Sequence, residues 1–247
     1  MKLDRIIAIR NNKIVYRDGD KCIKVFCSRC SKADILNEAL NQARISETDL
    51  NIPKIHEVTT IDGKWAIVSE FIKGKTLLQM INEDNSKADE YLEMLINIQN
   101  NMNSKKSPLL TKLNDKAKRL ITLANLENDL KERLIDKLNN IPEGDAICHG
   151  DFGPSNIILS ESNIPYIIDW SHATQGNPLL DCAKTYLMLN LRVTKEIGEK
   201  YLSLYCEKHQ IKKENVLEYL PIVSAIQLVR RKESEKDILL NLIKKVK

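Results

Sequence analysis

Apolar and polar positions alternate near the start of the chain and later recur every three to four residues. Residues 6–9 and 13–16 read as two strands joined by Arg10-Asn11-Asn12, and Asp18-Gly19-Asp20 is a tight turn into a third strand over 21–26. Residues 34–45 carry Ile35, Leu36, Ala39, Leu40 and Ala43 at helical spacing, which predicts a helix with these side chains as its apolar stripe. Strand signal returns at 52–55 and 57–61, reverses at Asp62-Gly63 and comes back over 64–71. Thr76 is placed to cap a helix over 77–81. Beyond residue 88 the pattern is largely helical, over 88–102, 112–123 and 127–138, until Pro142-Glu143-Gly144 turns the chain into another strand.

The region 146–170 breaks this helical run. Its β-forming triplets are 146–148, 157–159 and 166–168, and Ser, Glu, Asn and Pro over 160–165 form a hairpin turn between the last two. Asn156 therefore enters the first arm of a hairpin, and Asp169 leaves the second. Antiparallel pairing brings the Asn amide oxygen and the Asp carboxylate to the same end. Two oxygen ligands suit Mg2+, a hard cation that takes few protein ligands and completes its shell with phosphate and water. Asp151 lies in the loop just before, placed to accept a proton. A short loop holding His172, read as a substrate contact or a surface residue, leads to a helix opened by Asp181. Helices over 195–208, 214–219, 222–231 and 235–245 close the chain, with Pro221 breaking one from the next.

Composition narrows the classes. The chain has 247 residues, 43% hydrophobic and 29% charged, which is a globular balance with length for one or two lobes. No apolar run approaches membrane-spanning length, and the first residues are not a signal peptide, so a cytoplasmic protein without a membrane partner is expected. A net charge of +4, spread along the chain, is too weak to indicate nucleic acid. Six cysteines in such a chain read as reduced thiols. Cys27-Ser-Arg-Cys30 is a lone pair, whereas a zinc site calls for a second pair nearby. Oligomeric state leaves no trace in the sequence.

His149-x-Asp151, four residues, Asn156, then a strand ending in Asp169 is the catalytic spacing of kinases. As His-Gly-Asp-Phe-Gly-Pro-Ser-Asn-Ile-Ile-Leu followed by Ile-Ile-Asp-Trp, it resembles the aminoglycoside phosphotransferase family, the small-molecule branch of the protein-kinase-like fold. The resemblance implies an α+β, bilobal protein-kinase-like fold. Residues 1–71 would form a small antiparallel β-sheet N-lobe with one helix that binds nucleotide. Residues 72–247 would form a larger, mainly helical C-lobe for catalysis and acceptor binding. It implies Asp151 as catalytic base, and Asn156 and Asp169 as metal ligands. Lys24, on the third strand, resembles the phosphate-anchoring lysine, with Glu38 as its partner and Glu47 as the fallback. Backbone groups of Ser69 and Phe71 would meet the adenine edge, and His149 and Asp181 would brace the catalytic loop.

The implied activity is ATP- and Mg2+-dependent phosphorylation of a hydroxyl on a small molecule: an aminoglycoside, an amino sugar, a choline-like or another small alcohol. GTP is the alternative donor. Several residues depart from the protein-kinase pattern. The first turn, 10–12, has no glycine; Gly150 replaces the arginine that reads a phosphorylated loop; and the stretch before Asp181 is too short for an activation segment. Two other readings remain, a catalytically weak nucleotide-binding module and an atypical protein kinase. Gly74-Lys75-Thr76 is no P-loop, since Ser69 stands where a glycine is needed. From Asp181 onward 14 Lys or Arg face 9 Asp or Glu, including Arg230-Arg231-Lys232 and the tail Lys244, Lys245 and Lys247. A polycation would want an acidic cleft, so the family's name does not supply the acceptor.

Overall fold

A computed structural model describes residues 3, 5–10, 12–229 and 233–246. Asn11, the cluster Arg230-Arg231-Lys232 and Lys247 lie outside the described residues. The chain divides into two compact units, Met1–Met80 with Pro154–His172, and Ile81–Gly153 with Ala173–Lys247.

Strands β1 (Arg5–Ile9), β2 (Lys13–Asp18) and β3 (Lys21–Phe26) precede helix α1 (Lys32–Ile45), and β4 (Ile55–Ile61) and β5 (Lys64–Glu70) follow it. They form one antiparallel sheet in the order β1-β2-β3-β5-β4. Asp62 and Gly63 both take positive φ, the conformation of a two-residue β-turn between β4 and β5. Strand alternation gives the sheet two apolar faces. Ile23, Val25, Ala66 and Val68 pack on one, and Phe26 and Ile67 meet Ile35 and Ala39 of α1 on the other.

Helix α1 is rotated from the face that periodicity predicts. Leu36 and Leu40 are exposed, as is Ala43, while Glu38, Asn41 and Gln42 are buried with Ile35, Ala39 and Ile45. The buried polar groups have partners, which makes their burial tolerable. The Gln42 amide donates to the Pro53 carbonyl at 2.7 Å, and the Asn41 amide donates to the Trp170 carbonyl at 3.3 Å. The strand expected over 52–55 also begins later, at Ile55, with a register shift between Ile55 and Glu57.

The short strand β6 (Gly74–Thr76) leads into α2 (Leu77–Glu83), whose Gln79 N–H is accepted by the Thr76 hydroxyl at 3.1 Å, as the capping reading expects. Helices α3 (Ala88–Asn103), α4 (Leu113–Leu123) and α5 (Asn128–Asn139) follow. In α3, Leu92, Leu95, Ile96, Gln99 and Met102, spaced every three to four residues, lie on the buried side. Strand β7 (Ala146–Cys148) comes next, then the hairpin β8 (Ile157–Ser160) and β9 (Pro165–Ile167), with β6 pairing against β8. The stretch read as loop before Asp181 contains a further strand, β10 (Thr174–Gly176), which pairs with β7. The chain closes with α6 (Pro178–Arg192), α7 (Lys195–His209), α8 (Glu214–Leu217), α9 (Leu220–Leu228) and α10 (Lys236–Ile243). The break between α8 and α9 falls just before Pro221. Pro221 itself sits in the first turn of α9, where its missing N–H costs nothing. No helix among the described residues is long and apolar enough to cross a membrane.

Candidate active site

The two-residue connection Gly19-Asp20 pairs Asp18 with Lys21 and so fixes the register along β2 and β3: Val15 opposite Lys24, Lys13 opposite Phe26. Lys13, Val15, Lys24 and Phe26 then share one face of the sheet, the α1 face, with Lys13 and Lys24 as diagonal neighbours. Glu38 reaches this face from α1. The Lys24 amine donates to Glu38 Oε1 at 2.6 Å, and the Lys13 amine lies 3.3 Å from both Glu38 oxygens. Lys13 and Glu38 are buried, and the Lys24 side chain is partly so, at 13% exposed. Burial works against the charge of Lys24, but the nearby carboxylates of Glu38 and Asp169 more than offset it and raise its pKa above the usual lysine value. Glu38, not Glu47, is therefore the partner of Lys24.

Asp169 joins the same cluster from the end of the β8–β9 hairpin. Both its oxygens lie 3.2 Å from the Lys13 amine, and Oδ1 is 3.9 Å from that of Lys24. Its φ is +67°, a left-handed conformation uncommon for a residue other than glycine and a form of strain that collects at functional sites. Asn156 stands at the head of β8, and its carbonyl accepts the Ile168 N–H at 2.9 Å, so the two ends of the hairpin adjoin as predicted. Among the described residues no three His, Cys, Asp or Glu side chains gather as a metal nest. The Asn156 amide oxygen and the Asp169 carboxylate, which lies against the Lys13 amine, are donor types that would fit Mg2+, an ion that keeps phosphate and water as its other ligands.

In the second unit the loop after β7 is organised by Asp181 in the first turn of α6. Its carboxylate accepts the N–H of Gly150 at 2.8 Å and of His149 at 3.3 Å. Burial raises the pKa of Asp181, and these two N–H groups oppose that shift. Gly150 has φ +77°, which a residue with a Cβ would adopt only under strain. The Asp151 N–H turns back to the fully buried His149 ring, donating to Nδ1 at 3.3 Å. Asp181 and the His149 ring thus hydrogen-bond the backbone N–H groups of residues 149–151, the loop that carries Asp151.

The structure also places residues that the sequence reading passed over. Lys13 was assigned only to a strand, although the two-residue turn already carried the register that puts it beside Lys24. Arg192, at the end of α6, lies 3.8 Å from the Asp151 carboxylate and 3.3 Å from Glu235, and the buried Gln227 amide donates to Glu235 at 2.8 Å. No local motif marks Arg192, because its position depends on how α6 and the chain after α9 pack. Ser69 lies buried on β5 opposite Cys22. The Phe71 N–H is already committed to the Asp20 carbonyl at 2.7 Å, and the Arg17 guanidinium covers its ring. The expected adenine contact of Phe71 is therefore not through a ready N–H donor. Cys27 and Cys30 are free thiols whose sulfurs face each other, and Cys30 donates to the Asn12 carbonyl at 3.2 Å.

A family model described as phosphotransferase enzyme family, APH, matches residues 11–214. No curated protein matches the sequence closely enough to count as a relative. Among solved structures, the apo form of a thermostable mutant of aminoglycoside phosphotransferase APH(4)-Ia is similar at TM-score 0.73 and 13% identity, over 98% of this chain and 92% of that one. A ternary complex of that enzyme with ADP and hygromycin B is similar at TM-score 0.71 and 14% identity, over 98% and 92% of the two chains. Choline kinase LicA from Streptococcus pneumoniae is similar at TM-score 0.65 and 16% identity, over 99% and 92%. At these identities the likeness is one of fold, the α+β kinase-like arrangement of an antiparallel sheet and a helical part.

Proposed function

Because the chain belongs to the phosphotransferase enzyme family, we propose that it transfers the terminal phosphate of ATP to a hydroxyl of a small molecule. The observation that carries this reading is the Asp169 carboxylate, held in left-handed backbone beside Lys24, which Glu38 fixes at 2.6 Å. A phosphoryl transfer asks little covalent chemistry of a protein and much positioning and charge stabilisation.

Lys24 anchors the α- and β-phosphates, and Glu38 keeps its amine in place. Asn156 and Asp169 supply the oxygens that hold Mg2+. Bound there, the ion neutralises charge on the phosphates. Asp151 orients the acceptor hydroxyl and takes its proton, while Asp181 and His149 hold the loop that presents it. Ser69 and Phe71 border the adenine position, with Phe71 offering backbone other than its N–H. The likeness to choline kinase and to a hygromycin B complex supports an alcohol as acceptor. The Arg192 guanidinium 3.8 Å from Asp151 favours a small alcohol of low positive charge over a polycationic aminoglycoside, which it would repel.

The test is ADP formation across a panel of small alcohols, amino sugars and choline-like acceptors, in wild type and two variants. Asp151→Asn lowers turnover by roughly 10²- to 10⁴-fold, the range of a lost general base, with ATP affinity kept. Asp169→Ala removes Mg2+-dependent nucleotide binding. Tight ATP binding with no transfer to any acceptor would instead support a nucleotide-binding module, and equal turnover in the Asp151 variant would remove its assignment.

A further inference from the structure

We propose that Lys13 is a second phosphate-binding lysine: its amine, 3.2 Å from both Asp169 oxygens, turns onto the nucleotide phosphates when Mg2+ takes that carboxylate. The inference rests on the phosphotransferase reading and adds to it a residue that the kinase spacing does not contain.

Charge balance carries the argument. Two lysines, the buried Lys13 and the part-buried Lys24, face two carboxylates, Glu38 and Asp169. Lys24 is satisfied by Glu38 at 2.6 Å. Lys13 spans the pair, 3.3 Å from each Glu38 oxygen and 3.2 Å from each Asp169 oxygen, so it covers both oxygens of the carboxylate assigned to the metal. A divalent cation on Asp169 competes with the Lys13 ammonium for those oxygens, because two like charges that close repel each other. Lys13 must then give up its Asp169 contacts. Glu38, already engaged by Lys24, cannot neutralise both lysines by itself, and an uncompensated buried charge costs several kcal/mol. The anions that arrive with the metal are the nucleotide phosphates.

The chain's own geometry allows the move. Lys13 is the first residue of β2, and its flexible stem lies on the face of the sheet that carries Lys24. Its carbonyl accepts the Arg10 N–H at 2.9 Å, and it directly follows the glycine-free segment 10–12 of the sequence. Kinases use glycine at this turn so that backbone N–H groups can approach the phosphates. A lysine side chain leaving the same turn supplies a charge that needs no such close approach. The absence of glycine and the presence of Lys13 then have one explanation.

Two experiments on the whole chain decide it. In the first, affinities for ATP, ADP and adenosine are measured by calorimetry with Mg2+ for wild type, Lys13→Met and Lys24→Met. The expected result is a loss of ATP affinity of about ten- to a hundredfold in Lys13→Met, the scale of one charge-assisted hydrogen bond, with adenosine affinity unchanged. In the second, wild type is treated with an ATP acyl phosphate and digested for mass spectrometry. A lysine beside the phosphates loses its proton to buffer, its nitrogen attacks the acyl carbonyl, an amide forms and ATP leaves. Lys13 and Lys24 should both be acylated, and excess ATP should protect both. If Lys13→Met does not fold, labelling of wild type decides alone. Labelling of Lys24 without Lys13, or ATP affinity unchanged in Lys13→Met, overturns the proposal and leaves the phosphotransferase reading standing. Failure of wild type to bind ATP removes both.

Discussion

Glu38→Gln is the most informative single perturbation, because one carboxylate fixes two lysine cations. In the wild type, Glu38 accepts from Lys24 at 2.6 Å and from Lys13 at 3.3 Å, and all three side chains are at least 87% shielded from solvent, the most exposed being Lys24 at 13%. The substitution keeps the shape and removes the charge. Removing one partner of a buried ion pair costs about 3–5 kcal/mol. Asp169, which already touches Lys13 at 3.2 Å, takes up part of the deficit, so the lower end, about 3 kcal/mol, applies. For a chain of this size each kcal/mol moves the midpoint by roughly 2–4 °C, which predicts a Tm lower by roughly 6–12 °C. Thermal unfolding by circular dichroism measures it. The same change draws Asp169 toward both lysines, so ATP affinity in Mg2+ should also fall by about tenfold or more, as expected when about 1.4 kcal/mol is lost. In a double-mutant cycle Lys24→Met should cost less in the Glu38→Gln background than in wild type, with a coupling of about 1–3 kcal/mol. A Tm within about 2 °C of wild type together with additive effects would show that the pair does not constrain the fold, and the reasoning would fail.

Other perturbations test separate parts of the account. Asp181→Asn places an amide N–H against the Gly150 or His149 N–H and should cost about 1.5–3 kcal/mol, read by urea unfolding; turnover should fall with ATP affinity kept, and unchanged turnover would deny Asp181 its bracing role. A Cβ at Gly74 would lie 2.1 Å from the Leu159 carbonyl oxygen, so Gly74→Val should push β6 off β8 and lower Tm by several degrees, whereas a neutral result would show that the strands part freely. The raised pKa of Lys24 sets a pH dependence: its protonated form contributes stability fully present below the unfolded value of about 10.4 and lost as pH rises through the higher folded value. The stability gap between wild type and Lys24→Met should therefore stay level at neutral pH and narrow only above about pH 10.4; narrowing already near neutrality would contradict the pairing.

The parts of the fold legible in sequence were those set by local chemistry. The β2–β3 turn at Gly19-Asp20, the stripe of α3 and the β8–β9 hairpin with Asn156 and Asp169 at its ends all follow from turn residues and periodicity. The face of α1 did not, because its buried side includes Glu38, Asn41 and Gln42, whose partners lie as far away as Trp170. Strand β10 escaped notice because Thr174-Gln175-Gly176 has little β-propensity and is held by pairing with β7. Lys24 and Glu38 were found through the family resemblance, which their mutual distance fits. Lys13 was missed because that pattern has no place for it, and Arg192 because it acts through packing of distant helices.

The central claim is phosphoryl transfer to an alcohol, and phosphorus NMR of a reaction containing the protein, ATP, Mg2+ and an acceptor alcohol reads it directly. The expected result is a new phosphomonoester resonance growing in step with ADP in wild type, and growing at least about a hundredfold more slowly in Asp151→Asn. Inorganic phosphate as the only product besides ADP, or an ester that forms equally fast in the Asp151 variant, would contradict it.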